Sequence, residues 1–185
     1  FFDAQQWVEA AQTEMSALRV KDVLGWGALP EGTKALQTKF VFKLKFLPDG
    51  GIDKYKARLV AKGFLQRYGI DYLETHAPVF QIVSLRCILV AALHMSLTVY
   101  HYVDVKTAFL NSPLSFNIWI ELPKGFANDK GQRHAKLRKS LYGLKQAGRD
   151  WYQCQDEFIL SYDSRFRRSS VEPCLYCIVA DTLII

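Results

Sequence analysis

The segment from residue 38 to residue 62 constrains the fold most strongly, because it has the pattern of a long β-hairpin. Residues 40–46 are rich in strand-forming side chains and alternate partly between apolar and basic. Residues 48–51, Pro-Asp-Gly-Gly, form a turn sequence, in which proline sets φ and glycine accepts positive φ. Residues 55–61 then follow as a returning strand. The segment therefore predicts two long antiparallel strands joined by a tight turn.

The same hairpin is strongly basic, and its cations are spaced at even intervals. Residues two apart on a strand share a face, so the spacing predicts one basic face made of Lys54, Lys56, Arg58 and Lys62, joined by Lys39, Lys43 and Lys45 of the partner strand. Such a face can hold phosphates through charge-assisted hydrogen bonds. An ordinary solvated strand face has the same composition. The spacing alone leaves both interpretations open.

Other periodicities predict helices and further strands. Residues 3–20 place Trp7, Ala11, Met15 and Leu18 on one helical face, and the region ends at two nearby glycines, Gly25 and Gly27. Residues 84–96 suit a second helix capped by Ser84. The remaining predicted elements are strands at 98–105 and 117–121, a helix at 138–162 interrupted near Gly143 and Gly148, and a strand at 174–179 with a partner at 182–185. This irregular order behind a hairpin predicts an α+β fold.

Length and composition limit the class of protein. The 185 residues suffice for one domain, and 50% hydrophobic with 14% aromatic residues indicate a globular chain. The formal charge of +6 is compatible with a polyanionic partner. The sequence shows no run long enough to span a membrane and no signal peptide at its start, so no membrane partner is predicted and an intracellular location is expected.

Two kinds of site are disfavoured by the residues present. Cys174 and Cys177 have a metal-like gap, but a matching second pair is missing, so reduced and buried thiols are predicted for all four cysteines. A serine hydrolase is disfavoured because the Gly-x-Ser-x-Gly elbow is absent.

Asp104 is the acidic residue of a stretch that otherwise has the pattern of a core strand. A buried carboxylate must be paired, protonated or bound to a metal, because leaving it charged and alone is costly. The ordinary alternative is an aspartate that caps a strand end or pairs with Lys106, and the local residues alone favour it.

Residues 140–152 contain glycine ahead of a helix together with lysine, glutamine and arginine. Such a segment can bring backbone close to a base or a phosphate. It is not a P-loop, because the Gly-Lys-Ser/Thr ending is absent. Taken alone, the segment favours a capped amphipathic helix.

In their order along the chain, these stretches resemble the reverse transcriptase of copia-type LTR retrotransposons. The resemblance covers nearly the whole chain and rests on LPEGTK at 29–34, KFVFK at 39–43, YKARLVAKGF at 55–64, GIDYLET at 69–75, VDVKTAFLN at 103–111, PKGF at 123–126 and SLYGLKQAGRDWY at 140–152. It implies a right-hand polymerase with fingers mainly at 1–97 and 112–150, palm mainly at 98–111 and 151–185, and the thumb beyond the end. The basic hairpin would be the fingertip.

The resemblance also implies a role for each site residue. Asp104 would be the first catalytic carboxylate and would bind two Mg²⁺ ions with help from the Val105 carbonyl. Phe109 would exclude a ribose 2′-hydroxyl and so select deoxynucleotides. The remaining residues would contact the incoming nucleotide, its triphosphate or the template: Lys56, Arg58, Gly143 and Gln146.

The partners that the resemblance implies are an RNA template, a DNA primer and deoxynucleoside triphosphates. The chain would belong to a Pol polyprotein with integrase and ribonuclease H, located in a cytoplasmic particle or in the nucleus.

The second acidic motif of the family, Tyr-Val-Asp-Asp, is not in the sequence. Truncation just before it is the favoured explanation, with Ala180 and Asp181 in a hairpin turn. The other explanation is a decayed copy at 178–184, in which Asp181 would be the second aspartate. In either case the chain alone is expected to lack polymerase activity, because one carboxylate cannot hold two metals. The alternative function is a catalytically dead remnant that only binds nucleic acid.

Overall fold

The computed structural model describes residues 3–100 and 104–178. Its regular elements, in chain order, are α1 (Ala4–Val20), β1 (Leu24–Trp26), β2 (Leu36–Phe46), β3 (Ile52–Ala61), α2 (Ile82–His94), β4 (Trp119–Glu121), β5 (His134–Leu137), α3 (Ala147–Tyr162), β6 (Arg167–Arg168) and β7 (Tyr176–Cys177). The chain divides into two compact units, one of residues 1–75 and 107–151, the other of residues 76–106 and 152–185. Helices and a mixed sheet agree with the predicted α+β content.

The predicted hairpin is confirmed as the longest strand pair of the first unit. β2 and β3 are antiparallel, and the turn between them closes with the Leu47 N–H donating to the Gly51 carbonyl at 2.8 Å. Gly50 in this turn has φ +87°, a conformation that glycine adopts without strain. The five strands are ordered β1-β5-β4-β2-β3, so β3 lies at an edge of the sheet.

Helix α1 confirms the first predicted helix and covers the hairpin. Ala11, Met15 and Leu18 are buried on its inner face, as the periodicity predicted. Trp7 meets the rings of Tyr55 and Phe42 edge-on, with centroids 4.6 and 5.3 Å away. The apolar stripe of α1 therefore packs against the strands.

A continuous apolar core holds the first unit together. Its buried members come from α1, the start of α3, all five strands and the loops around them: Met15, Leu18, Val23, Leu24, Leu36, Leu59, Ala61, Leu110, Ile118, Ile120, Leu122, Ala135, Leu137, Leu141, Leu144 and Ala147. Two of the strands, β1 and β5, were not predicted, and β1 includes Gly25, one of the two glycines predicted to end the helical region. β1 and β5 have three and four residues, too few for a clear alternation.

In the second unit the predicted cap of α2 is wrong. The helix begins at Ile82, so Ser84 lies inside its first turn. The Ser84 hydroxyl donates to Glu172 at 3.0 Å, and the Gln81 N–H donates to the same carboxylate at 3.0 Å. A side chain from another part of the unit therefore satisfies the helix start, as a capping residue would.

The remaining strand and helix predictions are confirmed only in part. The strand predicted at 117–121 is β4, with narrower bounds. The described residues of the stretch 98–105 are not in a strand, and residues 101–103 lie outside the described chain. The helix predicted from residue 138 begins only at Ala147, so Gly148 lies in its first turn.

At 174–179 the described strand is limited to β7. Strand β7 pairs with β6, which was not predicted. Its predicted partner at 182–185 lies outside the described residues, as does the proposed turn at Ala180 and Asp181.

The four cysteines all lie in the described part of the second unit, where no disulfide joins them. The prediction that they are buried is wrong, since Cys87 is exposed and the other three are partly exposed. Among the helices of the described residues, none has the length and apolar character needed to cross a membrane.

Candidate nucleotide-binding site

The strand register confirms that the basic residues of the hairpin share one face. Lys43 lies opposite Lys56, and Lys45 lies opposite Lys54. Side chains directly opposite each other in an antiparallel pair project from the same face. Burial lowers the pKa of Lys56, and the neighbouring charges of Arg58, Lys45 and Lys54 lower it further. The face is therefore crowded with positive charge that a bound anion would relieve.

Arg58 belongs to this basic face and also packs in a stack of side chains with Tyr142 and Phe109. Its guanidinium carbon lies 5.1 Å from the centre of the Tyr142 ring, within the range of a cation–π contact. Tyr142 in turn meets Phe109 at a tilt of 61°, with centroids 5.4 Å apart. Burial raises the pKa of Tyr142, and Arg58 opposes this effect. Two of the predicted nucleotide-binding residues, Arg58 and Phe109, are thus joined through one tyrosine.

The backbone at Gly143 packs closely against the end of β3, which places the neighbouring Tyr142 near Arg58. Gly143 has φ +88°, and a Cβ on it would lie 2.2 Å from the Ala61 carbonyl oxygen. A Cβ on Gly63 would lie 2.0 Å from the carbonyl oxygen of Gly143. The Ala61 N–H also donates to the Tyr142 carbonyl at 2.8 Å. Close backbone contact between Gly63 and Gly143 therefore holds the residues around Tyr142, here called the Tyr142 segment, against the end of β3.

Gln146 fastens the same segment at a second point. Its side chain is 1% exposed, accepts a hydrogen bond from the Gln66 amide at 2.9 Å and donates one to the Asp71 carbonyl at 3.0 Å. The Gln66 side-chain oxygen accepts the Lys145 N–H at 2.8 Å. Both the oxygen and the nitrogen of the Gln146 side-chain amide therefore form hydrogen bonds within the first unit. Its predicted place beside the nucleotide and template stays a prediction.

The two predicted metal ligands belong to the second unit, and both are exposed. The premise that Asp104 lies buried in an apolar strand is therefore wrong. The Asp104 carboxylate and the Val105 carbonyl are oxygen donors of the kind that Mg²⁺ prefers. Within residues 3–100 and 104–178, however, no group of three or more histidine, cysteine or acidic side chains is placed to hold a metal. Asp104 and Val105 could therefore supply some of the oxygen ligands of a magnesium site, and further ligands would be needed to complete it.

Two residues of the first-unit site were not predicted. Tyr142 links Arg58 to Phe109, and its signal was its place directly before Gly143 in the segment 140–152. Glu14 is 7% exposed and accepts the Leu59 N–H at 3.2 Å. Its signal was a carboxylate on the apolar face of α1, seven residues after Trp7.

Comparison with known proteins identifies the family. The family model described as reverse transcriptase (RNA-dependent DNA polymerase) matches residues 22–185. The chain is 43% identical over 94% of its length to the retrovirus-related Pol polyprotein from transposon TNT 1-94 of Nicotiana tabacum, covering 13% of that protein. It is 42% identical over 66% of its length to the Pol polyprotein from transposon RE1 of Arabidopsis thaliana, covering 8%.

A more distant relative is the transposon Ty1-ER2 Gag-Pol polyprotein of Saccharomyces cerevisiae, 31% identical over 77% of the chain and 8% of that protein. The chain thus spans a small part of each of these relatives. No solved structure shows a significant match. The chain belongs to the reverse transcriptase (RNA-dependent DNA polymerase) family, within the group found in copia-type retrotransposon Pol polyproteins.

Proposed function

We propose that this chain supplies the nucleotide-binding part, and two of the metal ligands, of an RNA-directed DNA polymerase in a Pol polyprotein. Its substrates would be deoxynucleoside triphosphates, an RNA template and a DNA primer. The observation that carries the proposal is the stack of Arg58, Tyr142 and Phe109 beside a positively charged strand face. We assign the hairpin to the fingers of a right-hand polymerase.

The first-unit residues suit the demands of phosphoryl transfer. That reaction needs the triphosphate held in line and its charge neutralised, and it needs little covalent help. The Arg58 guanidinium has the fork geometry that binds phosphate oxygens in pairs. Lys56 adds a second cation, and burial together with the neighbouring charges of Arg58, Lys45 and Lys54 lowers its pKa. Arg58 and Lys56 would therefore bind the triphosphate.

Phe109 would set the choice of sugar. A ring against the sugar leaves no room for a 2′-hydroxyl, so deoxynucleotides are selected. Its edge-to-face contact with Tyr142 holds the ring in place. Gly143 and Gln146 would keep the segment that carries Tyr142 at the end of β3.

Asp104 and the Val105 carbonyl would be ligands of Mg²⁺, which neutralises phosphate charge when two ions are bound. The other carboxylates of such a site are not supplied by a Tyr-Val-Asp-Asp motif in this sequence. We therefore expect the chain alone to show no primer extension on an RNA template with Mg²⁺ or Mn²⁺. Template-dependent incorporation that disappears in Asp104→Ala would contradict this expectation.

The proposed sugar selection is tested by binding. The chain should bind dATP with Mg²⁺ more tightly than ATP with Mg²⁺ in equilibrium dialysis, by about tenfold or more, because the 2′-hydroxyl clashes or loses its hydration. Phe109→Ala should narrow this ratio. Phe64→Ala, which removes an aromatic ring 76% exposed in the same unit, is the matched control and should leave the ratio unchanged. Equal affinity for dATP and ATP in the unaltered chain would contradict a sugar-selecting site.

The alternative is a remnant that only binds nucleic acid, which the basic face of the hairpin also supports. In that case the chain would bind an RNA–DNA hybrid with an affinity that falls steeply with salt. It would show no saturable binding of dATP. Measuring both ligands with the same preparation separates the two functions.

A further inference from the structure

Glu14 is a carboxylate buried where the rest of the α1 inner face is apolar. Its Oε1 accepts the N–H of Leu59 at 3.2 Å. Leu59 itself is fully buried, so water does not replace this acceptor. The hydrogen bond joins α1 to β3.

The position of Leu59 gives this bond its importance. β3 is an edge strand whose ladder partner is β2 alone, so the Leu59 N–H that meets α1 points away from the sheet. Leu59 directly follows Arg58, and the next outward N–H, that of Ala61, is held by the Tyr142 carbonyl. Glu14 and the Tyr142 segment therefore hold the outer edge of β3 at two successive points directly after Arg58.

The charges around Glu14 link it to the same site. The groups that act on it are Arg58 and Lys56 of β3, both cations, and it acts in turn on Tyr142. Burial raises the pKa of Glu14, while the Leu59 N–H and the two cations oppose the rise. The carboxylate thus lies in the positive field that a triphosphate would enter.

We propose that Glu14 is a positioning residue for triphosphate binding: its side-chain oxygen holds the Leu59 N–H at the edge of β3, so that Arg58 stays stacked on Tyr142. The inference rests on the proposed function, because it assigns a role to the same site. It requires an oxygen acceptor at position 14, and it does not require a negative charge there.

Two substitutions separate the acceptor from the charge. Glu14→Gln keeps a side-chain oxygen and removes the charge. Glu14→Met fills a similar volume and leaves the Leu59 N–H without a partner. Glu9→Met is the matched control, because Glu9 is an exposed glutamate on the same helix.

The experiment measures dATP–Mg²⁺ dissociation constants together with amide hydrogen exchange, on the whole chain. We expect Glu14→Met to weaken dATP binding about tenfold and to speed exchange at Leu59 by a similar factor, as leaving one buried N–H without an acceptor would. Glu14→Gln should stay within about twofold of the unaltered chain for both. Glu9→Met should change neither. The Leu137 amide, which donates to the Ile118 carbonyl at 2.8 Å in the core, reports global unfolding.

The outcomes distinguish failure of the role inferred for Glu14 from failure of the proposed function. Unchanged dATP binding in Glu14→Met would overturn the inference and leave the proposed function intact. Equal acceleration at Leu137 and Leu59, or unfolding of Glu14→Met, would show a purely structural role and would also overturn it. Failure of the unaltered chain to bind dATP would overturn the proposed function, and the inference with it.

Discussion

Helix α1 of the first unit and helix α2 of the second use their apolar residues in opposite ways. α1 carries a mixed sequence and buries Ala11, Met15 and Leu18 in a continuous core. α2 is the more apolar of the two, yet Ala92 is its one buried residue. Its exposed apolar side chains include Ile82, Val83, Val90 and Leu93. Apolar content therefore does not by itself indicate burial in this protein.

In the second unit, polar contacts join segments that are distant in sequence. Glu172 accepts hydrogen bonds from Gln81 and Ser84 at the start of α2. Asp156 of α3 pairs with Arg168 at 2.9 Å and accepts the Tyr176 hydroxyl at 2.7 Å. Stability that comes from such bonds should depend on pH, whereas the core of the first unit should respond mainly to changes of shape and volume.

The largest effect is expected at Gly143, where a positive φ coincides with a close contact between backbone segments of the first unit. Gly143→Ala should lower the free energy of unfolding by roughly 3–5 kcal/mol, through a strained φ and an added carbon near the Ala61 carbonyl. Gly32→Ala is the control, since Gly32 also has positive φ but has open space around it. Denaturant unfolding should show a loss of only about 1–2 kcal/mol there. Equal losses at both sites would refute the close contact.

A pair of leucine truncations tests the contrast between the two helices directly. Leu18→Ala in α1 should cost about 2–5 kcal/mol of unfolding free energy, because Leu18 is 0% exposed in the core. Leu93→Ala in α2 should change it by less than about 0.5 kcal/mol, because Leu93 is 82% exposed. A large loss at Leu93 would show that α2 is covered in solution.

A smaller effect is expected from the titration of Glu14. Because burial raises its pKa, the stability it contributes is full below the ordinary glutamate pKa and is lost as pH rises through the raised value. The stability of the unaltered chain, relative to Glu14→Gln, should therefore fall as pH rises from the ordinary glutamate pKa towards neutrality. Thermal unfolding across this range measures the difference. A relative stability that rises with pH would contradict the burial of this carboxylate.

Glu172 should show the opposite sign and the smallest effect. Hydrogen bonds, first from the Gln81 N–H and then from Ser84 and Cys174, lower its pKa against the effect of burial. Its contribution is present above the ordinary glutamate pKa and is lost as pH falls through the lowered value. At neutral pH, Glu172→Gln should speed amide exchange at Gln81, and the difference from the unaltered chain should shrink in acid. An unchanged rate of amide exchange at Gln81 at neutral pH would show that Glu172 does not cap α2.

The success of the sequence predictions follows the range of the interactions involved. The hairpin and α1 were predicted because turn residues and helical periodicity are local. The cap of α2 was missed because Glu172 comes from 88 residues beyond Ser84. The contact of Gly63 with Gly143, and the stack of Arg58 on Tyr142, join segments that are equally remote in sequence.

The sequence therefore predicted which residues belong to the candidate site better than it predicted how those residues contact one another. The family resemblance selected Arg58, Phe109 and Gly143, and the first unit brings these three together around Tyr142. Tyr142 and Glu14 were missed because their roles depend on which neighbours the fold supplies. Asp104 was expected in an apolar strand and is exposed instead.

The most direct test of the account is the affinity for dATP–Mg²⁺ after Arg58→Gln, compared with Arg138→Gln. Both substitutions remove one exposed arginine charge from the first unit, but only Arg58 lies on the Tyr142 ring. We expect Arg58→Gln to raise the dissociation constant by about tenfold or more, as loss of a charge-assisted phosphate contact would, and Arg138→Gln to leave it nearly unchanged. Equal dissociation constants for Arg58→Gln and the unaltered chain would contradict it.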